Sequence, residues 1–249
     1  MRLDGKREIF NLDNVSFSYQ DKKALDKISF KIQSGEKVCI LGANGCGKTT
    51  LLRILAGIAV PESGTFTAFG SKITKEYFEN DRLSCEYHRR IGFIFQDSDA
   101  QLFCSTVKDE IAFGPLQYGL SIDEVNRRVY DAASLLEIEN LLDRAPFFLS
   151  GGEKKKTAVA AVLAINPEVL ILDEPTDGLD PKSQRFLVDL LIKLNKAGKT
   201  LITSTHNLDL VGELSDRCIL FDEEHRIAAD EPTEKLLKNT DLLRRVNFI

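Results

Sequence analysis

Apolar and polar residues alternate from Ile9 to Tyr19 and again from Ile28 to Ile32. A period of two marks strands with one buried face, so the spacing predicts two half-buried strands joined by a turn at Asp21-Lys22-Lys23. Lys37-Val38-Cys39-Ile40-Leu41 and Val169-Leu170-Ile171-Leu172 are apolar runs without alternation, as strands buried on both faces of a parallel sheet require. Ile91 to Phe95, Thr200 to Thr205 and Arg217 to Phe221 read as further strands. Shorter ones are expected at Thr65 to Phe69, after the turn Pro61-Glu62-Ser63-Gly64, and at Arg226 to Ala229. Helices are expected at Thr49 to Ala56, Thr106 to Phe113, Ser121 to Leu136, Ser150 to Ile165 and Pro181 to Lys196. Ser121 with Glu124, and Ser150 with Glu153, have the spacing of a capping box; Asp180 suits the N-cap before Pro181. Ile73 to Glu86 is polar and reads as a surface excursion. The chain is therefore α/β, with a helical stretch at about 97–166 inserted between sheet strands.

Composition narrows this little. With 249 residues, 43% hydrophobic and 29% charged, the chain has enough material for one large core or one core with a subdomain. No apolar run approaches the ~18 residues of a membrane helix, and Met1-Arg2-Leu3-Asp4-Gly5-Lys6 has no apolar signal core. The five cysteines lack paired metal spacing and read as free thiols of a reducing compartment. A net charge of −5 gives no support for a nucleic-acid surface.

The candidate chemistry begins at the end of the Lys37–Leu41 run. Gly42-Ala43-Asn44-Gly45-Cys46-Gly47-Lys48-Thr49-Thr50 fits G-x-x-x-x-G-K-[ST] between a strand and a helix. Glycines let the loop backbone turn its N–H groups onto an anion, and the following helix directs its positive end there. Lys48 adds a full charge for β- and γ-phosphates, and the Thr49 hydroxyl is a ligand for Mg²⁺. Cys46 lies inside this N–H array beside Lys48, surroundings that favour thiolate and reactivity; packing under the loop is the alternative. Downstream, Asp173-Glu174 ends an apolar strand, where open α/β sheets bind ligands. Asp173 suits a metal ion and Glu174 suits a water that attacks the γ-phosphate. Gln96 and His206 end strands at the same edge. Tyr19 ends the first strand, where an aromatic ring can stack on a base or simply sit at the rim. Lys154-Lys155-Lys156 reads as a solvated helix face, and His88 and His225 receive no role.

Tyr19, Gly42 to Thr49, Gln96, Leu149-Ser150-Gly151-Gly152-Glu153, Leu170 to Glu174, Asp177 to Asp180 and His206 stand in an order that resembles the nucleotide-binding subunit of ATP-binding cassette (ABC) transporters. The resemblance runs from near residue 8 to near 240. It implies a phosphate-loop NTPase core (a RecA-like mixed sheet) with an antiparallel β-subdomain and the inserted helical subdomain. It implies ATP held by Tyr19, Gln96 and Gly42, Ala43, Asn44, Gly45, Cys46, Gly47, Lys48, Thr49 and Thr50. Mg²⁺ falls to Thr49, Gln96 and Asp173, catalysis to Glu174, and γ-phosphate sensing to His206. Ser150, Gly151, Gly152 and Glu153 would act on ATP held by a second ATPase subunit in a homodimer.

Phe95 to Phe103 and Ala112-Phe113-Gly114-Pro115 look like the energy-coupling-factor (ECF) importers of cobalt, nickel or vitamins. That implies a peripheral protein on the cytoplasmic face of the cell membrane, with a transmembrane coupling subunit and a membrane substrate-binding subunit as partners. Residues 97–116, with Asp99 and Gln101 foremost, would dock the coupling subunit. Glu153 stands where Gln is usual, and Asp177 where a small residue is. A soluble cassette acting on nucleic acid and a regulatory module without turnover are the rival readings. Neither long coiled-coil insertions nor a second cassette supports the first, and Glu174 and His206 speak against the second.

Overall fold

The computed structural model describes residues 7–249, so the stretch Met1 to Lys6 lies outside the described residues. Strands β1 (Glu8–Tyr19) and β2 (Lys22–Gln33) form a hairpin. Its turn falls at Gln20-Asp21, with Gln20 in the left-handed region at φ 55°, because Tyr19 pairs directly with Lys22. Strand β2 therefore starts well before the apolar Ile28–Ile32 stretch: Lys22 and Lys23 pair through their backbones and leave their side chains exposed. Strand β3 (Lys37–Leu41) leads into helix α1 (Lys48–Leu55), followed by β4 (Ser63–Ala68) and β5 (Ser71–Lys72). The order β2-β1-β4-β5 makes one antiparallel sheet.

The Ile73–Glu86 excursion is instead helical, as α2 (Lys75–Glu79) and α3 (Asp81–Arg90). Thr74 and Asn80 cap them, accepting from Tyr77 N and Leu83 N. Helix α3 buries a single residue, Tyr87, so it carries no apolar period. That ring sits among Tyr77, Phe78 and Phe69, and its hydroxyl donates to Leu55 O at 2.7 Å.

Strand β6 (Ile91–Ile94) is followed by α4 (Val107–Gln117), α5 (Ile122–Leu135), two single-turn 3₁₀ segments and α6 (Gly151–Ala164) before β7 (Val169–Asp173). Helix α4 runs on past Phe113 and holds Pro115, which has no N–H to give to the carbonyl of Ile111 one turn back. Helix α7 (Pro181–Lys196), β8 (Thr200–Ser204), α8 (Leu208–Leu214), β9 (Arg217–Phe221), β10 (Ile227–Pro232), α9 (Thr233–Lys238) and α10 (Thr240–Arg245) complete the chain. The second sheet has the order β10-β9-β3-β8-β7-β6, parallel except for β10.

This mixed sheet separates two apolar cores. Cys39, Leu41, Leu170 and Leu172 face the core shared with α4, α5, α6 and α7. Val38, Ile40, Val169 and Ile171 face the core shared with α1 and the antiparallel sheet. Alternate side chains of one strand point to opposite faces, and both faces are covered, which is why β3 and β7 read as continuous apolar runs. The α/β class and the phosphate-loop core expected from the sequence are observed. The carboxyl ends of β3, β6, β7 and β8 all open on one edge.

Candidate functional site

The loop between β3 and α1 is shaped by two glycines. Gly42 has φ 143°, and a side chain there would meet Cys46 Sγ at 2.7 Å and Phe221 O at 2.9 Å. Gly47 has φ 113°, and a Cβ there would come within 2.2 Å of Ala24 O. No other residue fits either place, so the backbone itself lies against the neighbouring strands. Gly47 also stands at the N-cap of α1 without a capping side chain, leaving the first helical N–H groups for an anion. Lys48 is buried, and its ammonium donates to Gly42 O at 2.7 Å and Ala43 O at 3.2 Å, at the mouth of the loop.

Beside the loop, Thr49 Oγ1 donates to Asp173 Oδ2 at 2.8 Å. The other Asp173 oxygen accepts from Ser204 Oγ at 2.6 Å, and that hydroxyl in turn accepts from Glu174 N at 3.0 Å. Asp173 is thus fixed at both oxygens. A hydroxyl and a carboxylate are hard oxygen donors, and Mg²⁺ needs few of them because phosphate oxygens and waters complete its shell. Among the described residues no cluster of three His, Cys, Asp or Glu is placed to cage a metal by protein groups alone. The donor set fits a metal bound together with phosphate.

Glu174 is buried and has φ 43°, a left-handed conformation uncommon for a residue with a side chain. Such local strain collects at functional sites, where the surrounding structure imposes it. Its Oε2 accepts from His206 N at 3.2 Å and pairs with His206 Nδ1 at 3.0 Å, which aims the carboxylate. Gln96 reaches across from the end of β6 and donates from Nε2 to Asp177 Oδ2 at 3.0 Å.

One cavity of about 650 Å³ is lined by Tyr19, Asn44, Gly45, Gly47, Lys48, Thr49, Thr50, Gln96, Asp173, Glu174 and His206. Tyr19 is half exposed at its edge, with Phe17 against its ring at 5.0 Å and its hydroxyl accepting from Arg53 at 3.4 Å. Gly42 and Ala43 lie behind, with their carbonyls on Lys48. Ser150, Gly151, Gly152 and Glu153 line a different cleft of about 510 Å³, with Gly178, Asp180 and Ser183. There the capping box is closed in both directions. Ser150 N donates to Glu153 Oε2 at 2.8 Å, and Glu153 N donates to Ser150 Oγ at 3.4 Å. The Ser150 N–H foremost, and then the Ser150 hydroxyl, which donates to the same Oε2 at 2.8 Å, hold the Glu153 carboxyl below its ordinary pKa.

Two sequence expectations are corrected. Cys46 is not an activated thiol: it is buried to 2% exposure beneath the loop, and burial pushes its pKa up, with Lys48 only partly opposing. Maleimide is therefore expected to react first at exposed Cys85, with Cys46 protected by packing whether or not Mg-ATP is added; mass mapping of the adducts checks this, and early labelling of Cys46 would refute it. The lysine run is not one solvated face either. Lys155 is 4% exposed, while Lys154 pairs with Asp99 and Lys156 lies over the Phe186 ring at 4.0 Å.

The sequence also left out Ser204 and the cavity-lining Lys22, Lys23, Ala24 and His225. His225 lies in the β9–β10 turn at φ 65°, with Nδ1 at 3.1 Å from Cys46 O. Its only signal was its position after a strand reaching the same sheet edge.

A family profile described as "ABC transporter" matches residues 25–177, more than half of the chain. The nickel import ATP-binding protein LarO of Lactiplantibacillus plantarum is 44% identical, covering 89% of this chain and 92% of its own. The energy-coupling factor transporter ATP-binding protein EcfA of Methanothermobacter thermautotrophicus is 35% identical, covering 96% and 76%. CbiO1 from Clostridium perfringens, solved as part of the ABC transporter complex CbiONQ, superposes with a TM-score of 0.83 at 34% identity, covering 97% and 95%. The chain belongs to the ABC transporter family. It is an ATP-binding ATPase coupled to transport.

Proposed function

We propose that this chain is the Mg²⁺-dependent ATPase that powers an ECF-type importer of nickel or cobalt ions. The observation that carries the catalytic part is the fixed pair of carboxylates: Asp173 held by Thr49 and Ser204, and Glu174 held by His206. In this reading Tyr19 stacks on adenine, while Lys48 and the loop amides hold the phosphates. Thr49, Asp173 and Gln96 hold Mg²⁺, which when bound neutralises charge on the β- and γ-oxygens. Glu174 takes a proton from the attacking water, and His206 keeps its carboxylate aimed at the γ-phosphate. Ser150, Gly151 and Gly152 lie in a separate cleft, which supports a role on nucleotide held by a second copy. The helix N-terminus there offers N–H groups to that γ-phosphate, so two copies would close on two ATP molecules.

No helix among the described residues is long and apolar enough to cross a membrane. The chain would work peripherally at the cytoplasmic face, docked on a transmembrane coupling subunit, beside a membrane protein that captures the cargo. LarO's name supports import of nickel, and EcfA's supports the energy-coupling-factor type. The test is to purify the tagged protein from membranes in mild detergent, identify its partners and reconstitute the complex in proteoliposomes. Mg-ATP-driven, saturable uptake of radiolabelled nickel or cobalt is expected. Uptake of vitamins without the metals, or recovery without membrane partners, would overturn the cargo or the importer assignment.

A further inference from the structure

We propose that Lys155 is a positioning residue that fastens Gln96 to the signature helix, so that metal engagement at one nucleotide follows the position of the loop that closes on the other. This rests on the placement of Gln96 at Mg²⁺ in the proposed function.

Lys155 lies in the second turn of α6, shortly after Ser150, and is 4% exposed. Its ammonium donates to Phe95 O at 2.9 Å and to Gln96 O at 2.7 Å. These are the carbonyls of the two peptide units on either side of the Gln96 Cα. With both units held, the Gln96 backbone is tied to α6, and mainly its side chain stays free to turn. That side chain now reaches Asp177, whose N–H donates to Glu174 O at 3.1 Å. A line of contacts therefore joins the cap of α6 to the segment carrying Glu174: Lys155, Gln96, Asp177.

The rest of the loop is fastened the same way. Lys154 pairs with Asp99, and Gln101 accepts from Phe95 N at 3.1 Å and donates to Phe93 O at 3.3 Å. Filling this space would not require a charge, since burying an ammonium is costly unless it is well hydrogen-bonded. Both acceptors are neutral carbonyls. Burial lowers the Lys155 pKa, while Asp177, Asp97 and Asp173 oppose that shift from further away. A cation at this point keeps the loop next to the carboxylates on which the proposed metal site depends.

The test compares Lys155→Met, Lys155→Gln and Lys155→Arg with Gln96→Ala in the full-length protein. Binding of a fluorescent ATP analogue in EDTA reports the phosphate loop, and is expected to change less than about twofold in the three Lys155 variants, which also shows that each is folded. The Mg²⁺ concentration giving half-maximal turnover is expected to rise about 10–100-fold in Lys155→Met and Lys155→Gln, the usual effect of removing a group that orients a metal ligand. Electron paramagnetic resonance of Mn²⁺ titrated with ATP should show the same weakening without turnover. Lys155→Arg should restore most of the loss. If Gln96→Ala shifts metal dependence and the Lys155 variants do not, the proposal fails and Lys155 is only a packing element. If Gln96→Ala itself shifts nothing, the metal role of Gln96 is wrong and the proposal falls with it.

Discussion

Glu174→Gln is expected to bind ATP as the native protein does and to lose hydrolysis by about 10²–10⁴-fold, the weight of a positioned general base. That is about 3–5 kcal/mol in the barrier at 1.36 kcal/mol per tenfold. The substitution keeps the volume, and an amide oxygen can still accept from His206 N, which now donates to Glu174 Oε2 at 3.2 Å. The strained backbone at φ 43° is equally available to glutamine. Only proton uptake from water is removed. Lys48, Thr49 and Asp173 keep their own contacts, so nucleotide affinity should hold. With hydrolysis blocked, ATP should accumulate in a closed pair of chains, visible as a dimer by light scattering with ATP and as monomer with ADP. Single-turnover hydrolysis measures the chemical step directly. Turnover near the native rate would remove Glu174 from catalysis, and normal loss of turnover without dimer would remove the composite-site reading while leaving the base assignment intact.

The phosphate loop was legible because its determinants are adjacent in sequence and each acts locally: glycines for the backbone, Lys48 for charge, a strand before and a helix after. Asp173 and Glu174 were legible because a doubly buried strand cannot hide carboxylates except at its end. Burial of Lys155 was not legible, since a lysine run on a helix looks the same whether the helix faces water or a loop from β6. Only the tertiary contact with Phe95 and Gln96 distinguishes them. Cys46 shows the opposite failure. Proximity to Lys48 was visible in the sequence, but the desolvation that outweighs it depends on the close approach of Gly42 and Phe221. Helix α3 was lost because one buried tyrosine gives no period. Ser204 was lost because a serine ending a strand has no signature until its neighbour strand brings Asp173 alongside.

Replacing Phe147 and Phe148 together by aspartate is expected to abolish uptake by the reconstituted complex while leaving ATP hydrolysis by the isolated chain within about twofold, surface changes away from the site having small effects on the fold. The sequence pointed to Asp99 and Gln101 as docking residues, but both are engaged within the chain, Asp99 with Lys154 and Gln101 with the backbone at Phe93 and Phe95. Changing them would disturb the Gln96 loop and confuse coupling with catalysis. The exposed apolar groups lie partly within the same 97–116 segment and partly beyond it. Phe147 and Phe148 are 83% and 77% exposed and Phe103 is 68% exposed, with Phe113 edge-on to Phe103 at 4.9 Å. The chain leading to Phe147 is joined to the start of α4, through Val107 N to Arg144 O and Lys108 N to Leu142 O. Exposed aromatic groups of this kind mark interaction sites, and such residues carry about 2 kcal/mol or more each when they anchor an interface. Two charges placed there should therefore release the transmembrane partner, read as its loss from the detergent-purified complex. Neither residue lines the phosphate-loop cavity or the signature cleft, so the chemistry should survive the separation. A complex of normal composition with normal uptake would show that this pair of aromatics faces no partner, and equal loss of hydrolysis and uptake would assign them to the fold.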